Sequence, residues 1–276
     1  MQHTHTIAAI VSAILFVTPN ILIAQRAKTK GKSDTLTYTV PSVTVTSTRA
    51  EEGKTPVTFS EITRADLQQQ HTVTDLPALL ATLPSTIFFS DNGNAVGYST
   101  LTMRGFDQRR ISVLINGIPQ NDPEDHNVYW INFPDLASNL ENIQVQRGAG
   151  LANYGAAAIG GSVNLTTTNF ANKKFVRAST GLGYQEFRGD WRNDAPASAP
   201  VNAMTKHSVE LSSGLVETAS GGYAVYARLS QIQSRGYRDN AWADLTSYFL
   251  SAARFGETFT TQINVFGGPV SDGLAY

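Results

Sequence analysis

The sequence predicts an α+β domain followed by antiparallel strands of the kind that build a transmembrane β-barrel. Three observations lead to this fold class. Residues 57–170 combine one helical pattern with short strand-like runs separated by Gly and Asn turns. Residues 171–276 instead carry strand-length segments in which apolar and polar side chains alternate, with no helical pattern between them. The links between these segments alternate between long and short, which is typical of outer-membrane barrels.

The composition excludes several classes of site and partner. The chain has 276 residues with a formal net charge of −1, so nothing favours nucleic acid as a partner. It contains no cysteine, which excludes disulfides and thiolate metal sites, and it has only five histidines. The sequence contains no nucleophile–base pair and no helical His-Glu motif. We therefore expect a protein that is not an enzyme and that has no cofactor and no catalytic or structural metal.

The N-terminus has the pattern of a secretory signal. The apolar run over residues 7–17 is too short for a membrane-spanning helix, which needs about 20 residues. We predict a signal peptide over residues 1–24, with an ordinary buried helix as the alternative. No later stretch is apolar enough to cross a membrane as a helix, so a membrane location requires β-structure.

A polar segment rich in Thr, Ser and Lys follows, over residues 25–56, and is expected to be a flexible arm. It contains two β-prone pieces, Asp34–Val40 and Ser42–Ser47. Neither piece has enough apolar surface to build a core alone.

The elements of the α+β domain, residues 57–170, follow from local patterns. Val57–Ile62 has the composition of a strand. Asp75 is placed to cap a helix with Pro77 in its first turn, and Pro84 ends that helix. Its apolar face is formed by Leu76, Leu79, Leu80 and Leu83. Further strand-like runs cover residues 85–89, 100–106, 111–115, 142–146 and 162–167, and Asn116-Gly117 is a strong turn signal.

After residue 170 the alternation supports about five strands of roughly ten residues each. On the third of these, for example, Val225 and Leu229 fall on one face and Arg228 and Ser230 on the other. The links over 185–206 and 235–243 are long, and those over 217–222 and 256–258 are short. From these residues alone, a soluble antiparallel sheet is the alternative.

The most specific signal lies between residues 101 and 168. It consists of the motifs Met103–Phe106, Arg110–Pro119, Leu140–Gly148, Tyr154-Gly155 and Ile159–Asn164. In this order and spacing the motifs resemble the plug domain of TonB-dependent outer-membrane receptors, closely over about residues 40–170 and more loosely to residue 276. The resemblance implies a plug inside a barrel lumen in a Gram-negative type of outer membrane, with the arm in the periplasm.

The resemblance also implies roles for individual residues. In this family the periplasmic protein TonB pulls on an N-terminal segment, and an extended peptide can add as a strand to a partner sheet. We expect this segment at Val43, Thr44, Val45 and Thr46, with Asp34–Val40 as second choice. Arg104 and Arg147 match plug arginines that pair with carboxylates of the barrel wall, and a solvated surface arginine is the alternative for each.

The segment over residues 121–130 is expected to face the ligand, as loops at this point do in the resembling family. Its carboxylates and histidine suit a cation or a metal chelate, and its aromatic rings suit a flat ligand. The residues are Asp122, Glu124, Asp125, His126, Tyr129 and Trp130. As a tight metal site it is poor, because one His and mobile carboxylates give no fixed geometry. The alternative is a solvated acidic turn with an aromatic anchor.

These features predict a receptor for TonB-dependent uptake of a scarce ligand, with TonB, outer-membrane lipid and a small ligand such as a metal chelate as partners. Ferric siderophores and haem are favoured, and members of the resembling family also import cobalamin and glycans. The alternatives are a periplasmic signalling or binding domain and an outer-membrane adhesin or structural barrel. A barrel around a plug has about 22 strands, so we expect residues 171–276 to form an incomplete barrel in a truncated chain that cannot transport alone.

Overall fold

The computed structural model describes residues 49–70, 73–91, 95–149, 157–185, 202–218, 221–236 and 241–273. All of these lie within Thr39–Tyr276, which form one compact unit. The predicted signal peptide and both candidate coupling segments lie outside the described residues.

The α+β domain contains two helices and eight strands in its described part. The helices are α1 (Arg64–Gln70) and α2 (Leu76–Leu80). The strands are β1 (Phe59–Thr63), β2 (Thr86–Ser90), β3 (Ser99–Met103), β4 (Phe106–Asp107), β5 (Ile111–Ile115), β6 (Ile118–Pro119), β7 (Leu140–Arg147) and β8 (Gly161–Thr167). Short 3₁₀ turns cover Gln108–Arg110, Trp130–Asn132 and Leu136–Asn139.

These strands form two sheets. The larger has the order β1-β7-β8-β5-β6, in which β5 and β8 run parallel and the other pairs antiparallel. The smaller has the order β2-β3-β4. The core between sheets and helices includes the fully buried side chains Leu80, Leu101, Ile111, Leu140 and Ile143. Because β1 lies at an edge, the chain enters the domain on a strand with only one neighbour.

Two local features differ from the sequence predictions. The predicted run over 100–106 is broken at Arg104 and Gly105, whose φ values of +50° and +82° reverse the chain between β3 and β4. Helix α1 was not predicted, although its start carries a recognisable cap. The Asp66 carboxylate accepts hydrogen bonds from the backbone N–H (2.9 Å) and the hydroxyl (2.6 Å) of Thr63.

The strand sheet, β9 to β15, is an open antiparallel sheet with the order β14-β13-β12-β10-β9. The short strands β11 and β15 add to β12 and β13. The bounds are β9 (Lys174–Gln185), β10 (Asn202–Ser213), β11 (Val216–Thr218), β12 (Gly221–Ser234), β13 (Ala243–Phe255), β14 (Thr260–Gly267) and β15 (Val270–Asp272). The predicted five main strands and incomplete barrel are confirmed; β11 and β15 were not predicted. In the described part of the chain, no helix has the length and apolarity to cross a membrane.

The two faces of the strand sheet are chemically distinct. The inner face packs on the α+β domain and buries alternate residues of each main strand from β10 to β13, such as Tyr226, Arg228 and Ser230 of β12. The outer face exposes the residues between them, such as Val225 and Leu229. Aromatic contacts join the domain to the inner face, with the rings of Phe170 and Tyr226 stacked at 6.0 Å. The strand sheet therefore hides its polar side and presents its apolar side outward.

Candidate functional site

The acidic segment, residues 121–130, is a tight loop that follows β6. Asn121 ties the loop to β5, because its Oδ1 accepts from the backbone N–H of Val113 (2.9 Å) and its Nδ2 donates to the carbonyl of Ile111 (2.9 Å). The same Nδ2 donates to the carbonyl of His126 (2.9 Å). One amide side chain thus closes the loop and fixes it to a fully buried strand.

Asp122 shapes the tip of the acidic segment. Its Oδ1 accepts from the backbone N–H of Glu124 (2.7 Å), and its carbonyl accepts from the backbone N–H of His126 (2.9 Å). His126 has the left-handed φ of +61°. The Asp122 carboxylate is therefore partly committed to holding the loop, whereas Glu124 and His126 project into solvent.

Asp125 is ionised at neutral pH. The backbone N–H of Asn127 (2.7 Å) and the hydroxyl of Tyr129 (2.9 Å) both donate to its carboxylate. These two bonds, the backbone bond first, hold the pKa of Asp125 below its usual value. Tyr129 is exposed, and Asp125 is half-buried. Five of the six predicted ligand-facing residues thus lie together on one accessible loop.

Trp130 departs from the expectation. Its ring is only 3% exposed, within the main core, and its Nε1 donates to Gln108 Oε1 at 3.0 Å. A buried indole that has already found its hydrogen-bond partner has no free face for a ligand. Trp130 therefore anchors the acidic segment, and Tyr129 is the aromatic side chain of the segment that faces solvent.

Ile131 sets the position of the acidic segment along the strand sheet. It packs in a small apolar cluster with Val96, Ile232 and Leu245. Ile232 lies near the end of β12 and Leu245 near the start of β13, where one of the longer links of the sheet joins the strands. The acidic segment consequently lies at the long-link end of the sheet.

Asp135, which no sequence pattern singled out, connects the α+β domain to the inner face of the strand sheet. Its carboxylate oxygens pair with Lys206 of β10 and with Arg228 of β12, the latter at 3.0 Å. The Asp135 side chain is fully buried. Removing an ion of this kind from water costs several kcal/mol, which only close partners offset. The charges of Lys206 and Arg228 therefore stabilise the buried carboxylate of Asp135.

Glu210 completes this group. Arg228 Nη1 donates to Glu210 Oε1 at 2.8 Å, so the guanidinium bridges two carboxylates. Beside it, the Tyr226 hydroxyl donates to Asn139 Oδ1 at 3.1 Å. We call Asp135, Lys206, Glu210 and Arg228 the Asp135 cluster. The alternation in the sequence had placed Arg228 opposite the apolar face, but nothing local indicated that Asp135 would meet Arg228 and Glu210.

The backbone at Asp135 is held in an unusual conformation. Its φ of +55° and ψ of 21° are left-handed, and the 3₁₀ turn Leu136–Asn139 begins directly after it. Arg64 of α1 braces that turn, since its Nη1 donates to the carbonyls of Ser138 (3.3 Å) and Leu140 (2.5 Å). Strained positions persist where surrounding bonds over-determine them, and they concentrate at functional sites.

Arg104 and Arg147 form no ion pair with any carboxylate that the structure describes. Arg104 is exposed in the left-handed turn after β3. Arg147, at the end of β7, is half-buried, and its Nε has no hydrogen-bond partner among the described residues. Their predicted pairing with a barrel wall remains a prediction. The ion pairs that join domain and sheet in the described part have the opposite polarity, with the carboxylate on the domain.

A cleft of about 890 Å³ lies beside the Asp135 cluster, between β9 and the α+β domain. Small inward residues of β9, Ser179, Gly181 and Gly183, leave this space open. The lining includes Lys206 and Arg177, whose side chain is 53% exposed. The cleft thus carries accessible positive charge, in contrast to the acidic segment.

The N-terminal junction, where the arm meets the domain, is clamped by Gln144 of β7. Its Oε1 accepts from the backbone N–H of Ala50 (2.6 Å), and its Nε2 donates to the Ala50 carbonyl (2.9 Å). Arg49 also pairs with Glu61 of β1. The buried Gln144 side chain thereby supplies the two hydrogen bonds to the Ala50 backbone that a neighbouring strand would otherwise supply.

Comparison with known proteins places these features in a family. Residues 51–162 match the family model described as the TonB-dependent Receptor Plug Domain. The chain is 28% identical over 263 residues to the vitamin B12 transporter BtuB of Vibrio vulnificus, covering 90% of this chain and 39% of that protein. It is 25% identical over 230 residues to the ferric enterobactin receptor of Pseudomonas aeruginosa, covering 80% of this chain and 29% of that protein.

Solved structures support the same fold. The unliganded ferric citrate transporter FecA superposes with a TM-score of 0.60 at 18% identity, covering 78% of this chain and 32% of that one. The siderophore receptor PirA of Acinetobacter baumannii gives a TM-score of 0.54 at 16% identity, covering 75% and 31%. The chain thus spans well under half of the length of these proteins.

Proposed function

The chain belongs to the TonB-dependent receptors, and from this premise we propose that it serves active uptake of a scarce ligand across the outer membrane. In this proposal the strand sheet is a piece of the membrane wall, and the α+β domain fills the lumen behind it. TonB supplies the energy by pulling on the arm. The step is transport and forms no covalent bond.

One observation carries the proposal: the faces of the strand sheet are inverted relative to a water-soluble protein. The Leu229 side chain is 57% exposed on the outer face, whereas its neighbour Arg228 is 6% exposed against the α+β domain. An outer face of this kind suits hydrocarbon, and the polar inner face suits a lumen filled by a polar domain. A free periplasmic domain would expose this apolar face to water, which disfavours that alternative.

The ligand class that the acidic segment favours is a metal chelate without net negative charge. Glu124 and the ionised Asp125 lie on the accessible loop, and Tyr129 offers an exposed ring. Carboxylates repel an anionic chelate and attract a cationic one, most strongly where water is displaced. The relatives named above include a vitamin B12 transporter and a ferric enterobactin receptor, so metal chelates lie within the range of the family, and the absence of net negative charge is inferred from the acidic segment alone.

Location and uptake test the proposal together. We expect the full-length receptor in the outer-membrane fraction, resistant to extraction by urea. A strain without the gene should lose growth on one class of scarce ligand in a panel of iron chelates, haem, cobalamin and glycans. A receptor found in the soluble periplasmic fraction would sink the proposal, as would unchanged growth of the deletion strain on the whole panel.

The acidic segment is tested by a combined Asp122→Ala, Glu124→Ala, Asp125→Ala and His126→Ala variant of the full-length receptor. We expect ligand binding to weaken by about tenfold or more, since charged contacts contribute about 1.5–3 kcal/mol each. Glu141→Ala is the control, because Glu141 is exposed at the short-link end beside Phe255. Equal affinity in both variants would leave the segment as a solvated turn.

The coupling segment is tested by Val45→Pro, which removes a backbone donor from the strand that would add to TonB. We expect uptake to stop and ligand binding to remain. Val45→Thr, which keeps the donor and the β-propensity, is the matched control. Normal uptake with Val45→Pro and also with Leu36→Pro would show that neither candidate segment couples.

A further inference from the structure

The outer face of the strand sheet carries a band of polar side chains near its long-link end. In two consecutive rows of this face, read across the register of the strands, the paired residues are polar with the exception of Leu182 of β9, which pairs with Thr205 and is 80% exposed. We call these polar residues the polar ladder. The first row is Thr180, His207, Gln231 and Thr246, and the second is Thr205, Gln233, Asp244 and Ser271.

The members of the polar ladder interact along and between the rows. Thr180 Oγ1 and His207 Nδ1 are 3.2 Å apart. Asp244 accepts from Gln231 Nε2 at 3.5 Å and from Gln233 Nε2 at 3.3 Å. These contacts are long, and a carboxylate has about four acceptor sites. Asp244 therefore retains acceptor capacity on the outer face, where it is partly exposed.

The rows between the polar ladder and the short-link end have the opposite character. They present Val225, Leu229, Leu250, Ile263 and Val265, all exposed. If the whole outer face met acyl chains, the polar ladder would interrupt an otherwise apolar surface across four main strands and the short strand β15. Polar groups without partners in hydrocarbon each cost free energy. A contiguous polar band at this position is therefore expected to have a polar partner.

The positions of Tyr223 and Trp242 indicate how deep in a membrane the polar ladder would lie. Tyr223 begins the outer face of β12, and Arg235 and Trp242 follow directly beyond the last paired residues Ser234 and Ala243. From Tyr223 to Arg235 the strand extends about 40 Å at about 3.3 Å per residue. A tilt of about 35–45° converts this to about 28–33 Å across the membrane, close to the height of an apolar band with its aromatic girdles. The polar ladder lies one and two rows inside the girdle at the long-link end.

We propose that the polar ladder, with Trp242 and Arg235 above it, binds the phosphorylated sugar head group of an outer-leaflet glycolipid. This rests on the proposed function, because it requires the long-link end to face outward. Trp242, 45% exposed, offers a ring face to a sugar. Asp244 and Gln233 suit hydroxyl groups, and the exposed Arg235 suits a phosphate.

The experiment compares the full-length receptor with a Gln231→Leu, Gln233→Leu, Asp244→Leu variant. Both are purified from outer membranes and placed in phosphatidylethanolamine nanodiscs with or without lipopolysaccharide. Retained glycolipid is counted by native mass spectrometry, and thermal unfolding is recorded. Thr261→Leu is the control, since the same polar-to-Leu change falls on the exposed outer face at the other border. The single variant Gln233→Leu serves if the triple variant does not fold.

We expect lipopolysaccharide to raise the unfolding temperature of the wild type and of Thr261→Leu. The triple variant should lose this shift and retain about tenfold less glycolipid, as the loss of a few hydrogen bonds predicts. Equal retention by all three proteins would overturn the proposal. A polypeptide that co-purifies with the wild type and not with the triple variant would overturn it in favour of a protein contact. Absence of the wild type from the outer membrane would instead refute the proposed function.

Discussion

Apolar side chains are buried in the α+β domain but exposed on the outer face of the strand sheet. In the domain, apolar side chains such as Leu80 and Ile143 are completely buried. In the sheet, Val176 is 77% exposed while Glu210 and Arg228 are enclosed. Burial of apolar surface stabilises the domain by withdrawing that surface from water, whereas the sheet leaves its apolar side on the outside, where lipid would cover it under the proposed function. Two adjoining regions of one chain are therefore built for different surroundings.

The interface between the α+β domain and the strand sheet contains both polar and apolar contacts. There the polar inner face of the sheet meets the domain through the Asp135 cluster, with charges balanced in close pairs. Beside it, apolar contact is supplied by aromatic rings, including Phe133 against Phe266 at 6.1 Å. The interface thus combines specific ion pairs with ordinary packing.

The largest effect that we expect comes from Asp135→Ala. The change leaves Lys206 and Arg228 buried without one of their carboxylates, which typically costs about 3–5 kcal/mol. The readout is the thermal unfolding of the purified receptor, with protease accessibility of the α+β domain as a second measure. A Lys206→Met variant combined with Asp135→Ala should recover part of the loss. A single variant as stable as wild type would mean that the cluster does not hold the two regions together.

The next effect separates positions on the outer face of the strand sheet by depth. Leu229→Arg places a charge in the apolar rows of β12 and is expected to cost about 2–4 kcal/mol, whereas Gln233→Arg, nearer the girdle, should cost about 0–1 kcal/mol. Both residues are on the outer face of the same strand, so each serves as the control for the other. Unfolding in lipid vesicles measures the difference. Equal costs at the two positions would contradict the assignment of the outer face to lipid.

A smaller effect is expected at the N-terminal junction. Gln144→Leu removes both bonds to the Ala50 backbone, and leaving such buried groups unpaired costs about 1–3 kcal/mol. We expect faster proteolysis over residues 49–58 with the unfolding of the strand sheet unchanged. Glu141→Ala, an exposed change on the same strand, is the control. If cleavage rates are equal, the clamp contributes nothing to the attachment of the arm.

The last effect is a dependence of stability on pH, which is absent at pH 4 and grows as the pH rises. Asp75 keeps part of its surface exposed, but burial of its carboxyl group raises its pKa to about 8, against the hydrogen bond from Ser99. The folded protein then keeps a proton that the unfolded chain releases near pH 4, so stability falls as the pH rises between about 4 and about 8. Asp75→Asn should raise the unfolding temperature at pH 7 and have no effect at pH 4. An equal shift at both pH values would exclude this origin.

Much of the fold could be predicted from the sequence because its signals are local. The alternation in β12 and β13 predicted both faces of the strand sheet, since strand side chains alternate with period two. The turn at Asn116-Gly117 was also predicted, and both residues have positive φ. Helix α1 was missed although its Thr63–Asp66 cap is visible in the sequence, because seven residues give little apolar periodicity.

The candidate site was also predictable only in part from the sequence. The acidic segment is a continuous stretch, so its residues could be listed from the sequence, and five of them do lie together on an exposed loop. Trp130 could not be placed, because its partner Gln108 lies 22 residues away. Whether the remaining five contact a ligand stays a prediction, as do the partners of Arg104 and Arg147.

By itself, the sequence determined the periodicity of the strands, the order of the motifs and the charge of the acidic segment, because each depends on neighbouring residues. Only the tertiary structure decided that Asp135 meets Lys206 and Arg228, 71 and 93 residues further along the chain. Only the pairing register assembled the polar ladder from separate strands. Long-range contacts between charged groups leave no periodic trace in a sequence, since their free energy depends on which strands become neighbours and on the water excluded between them.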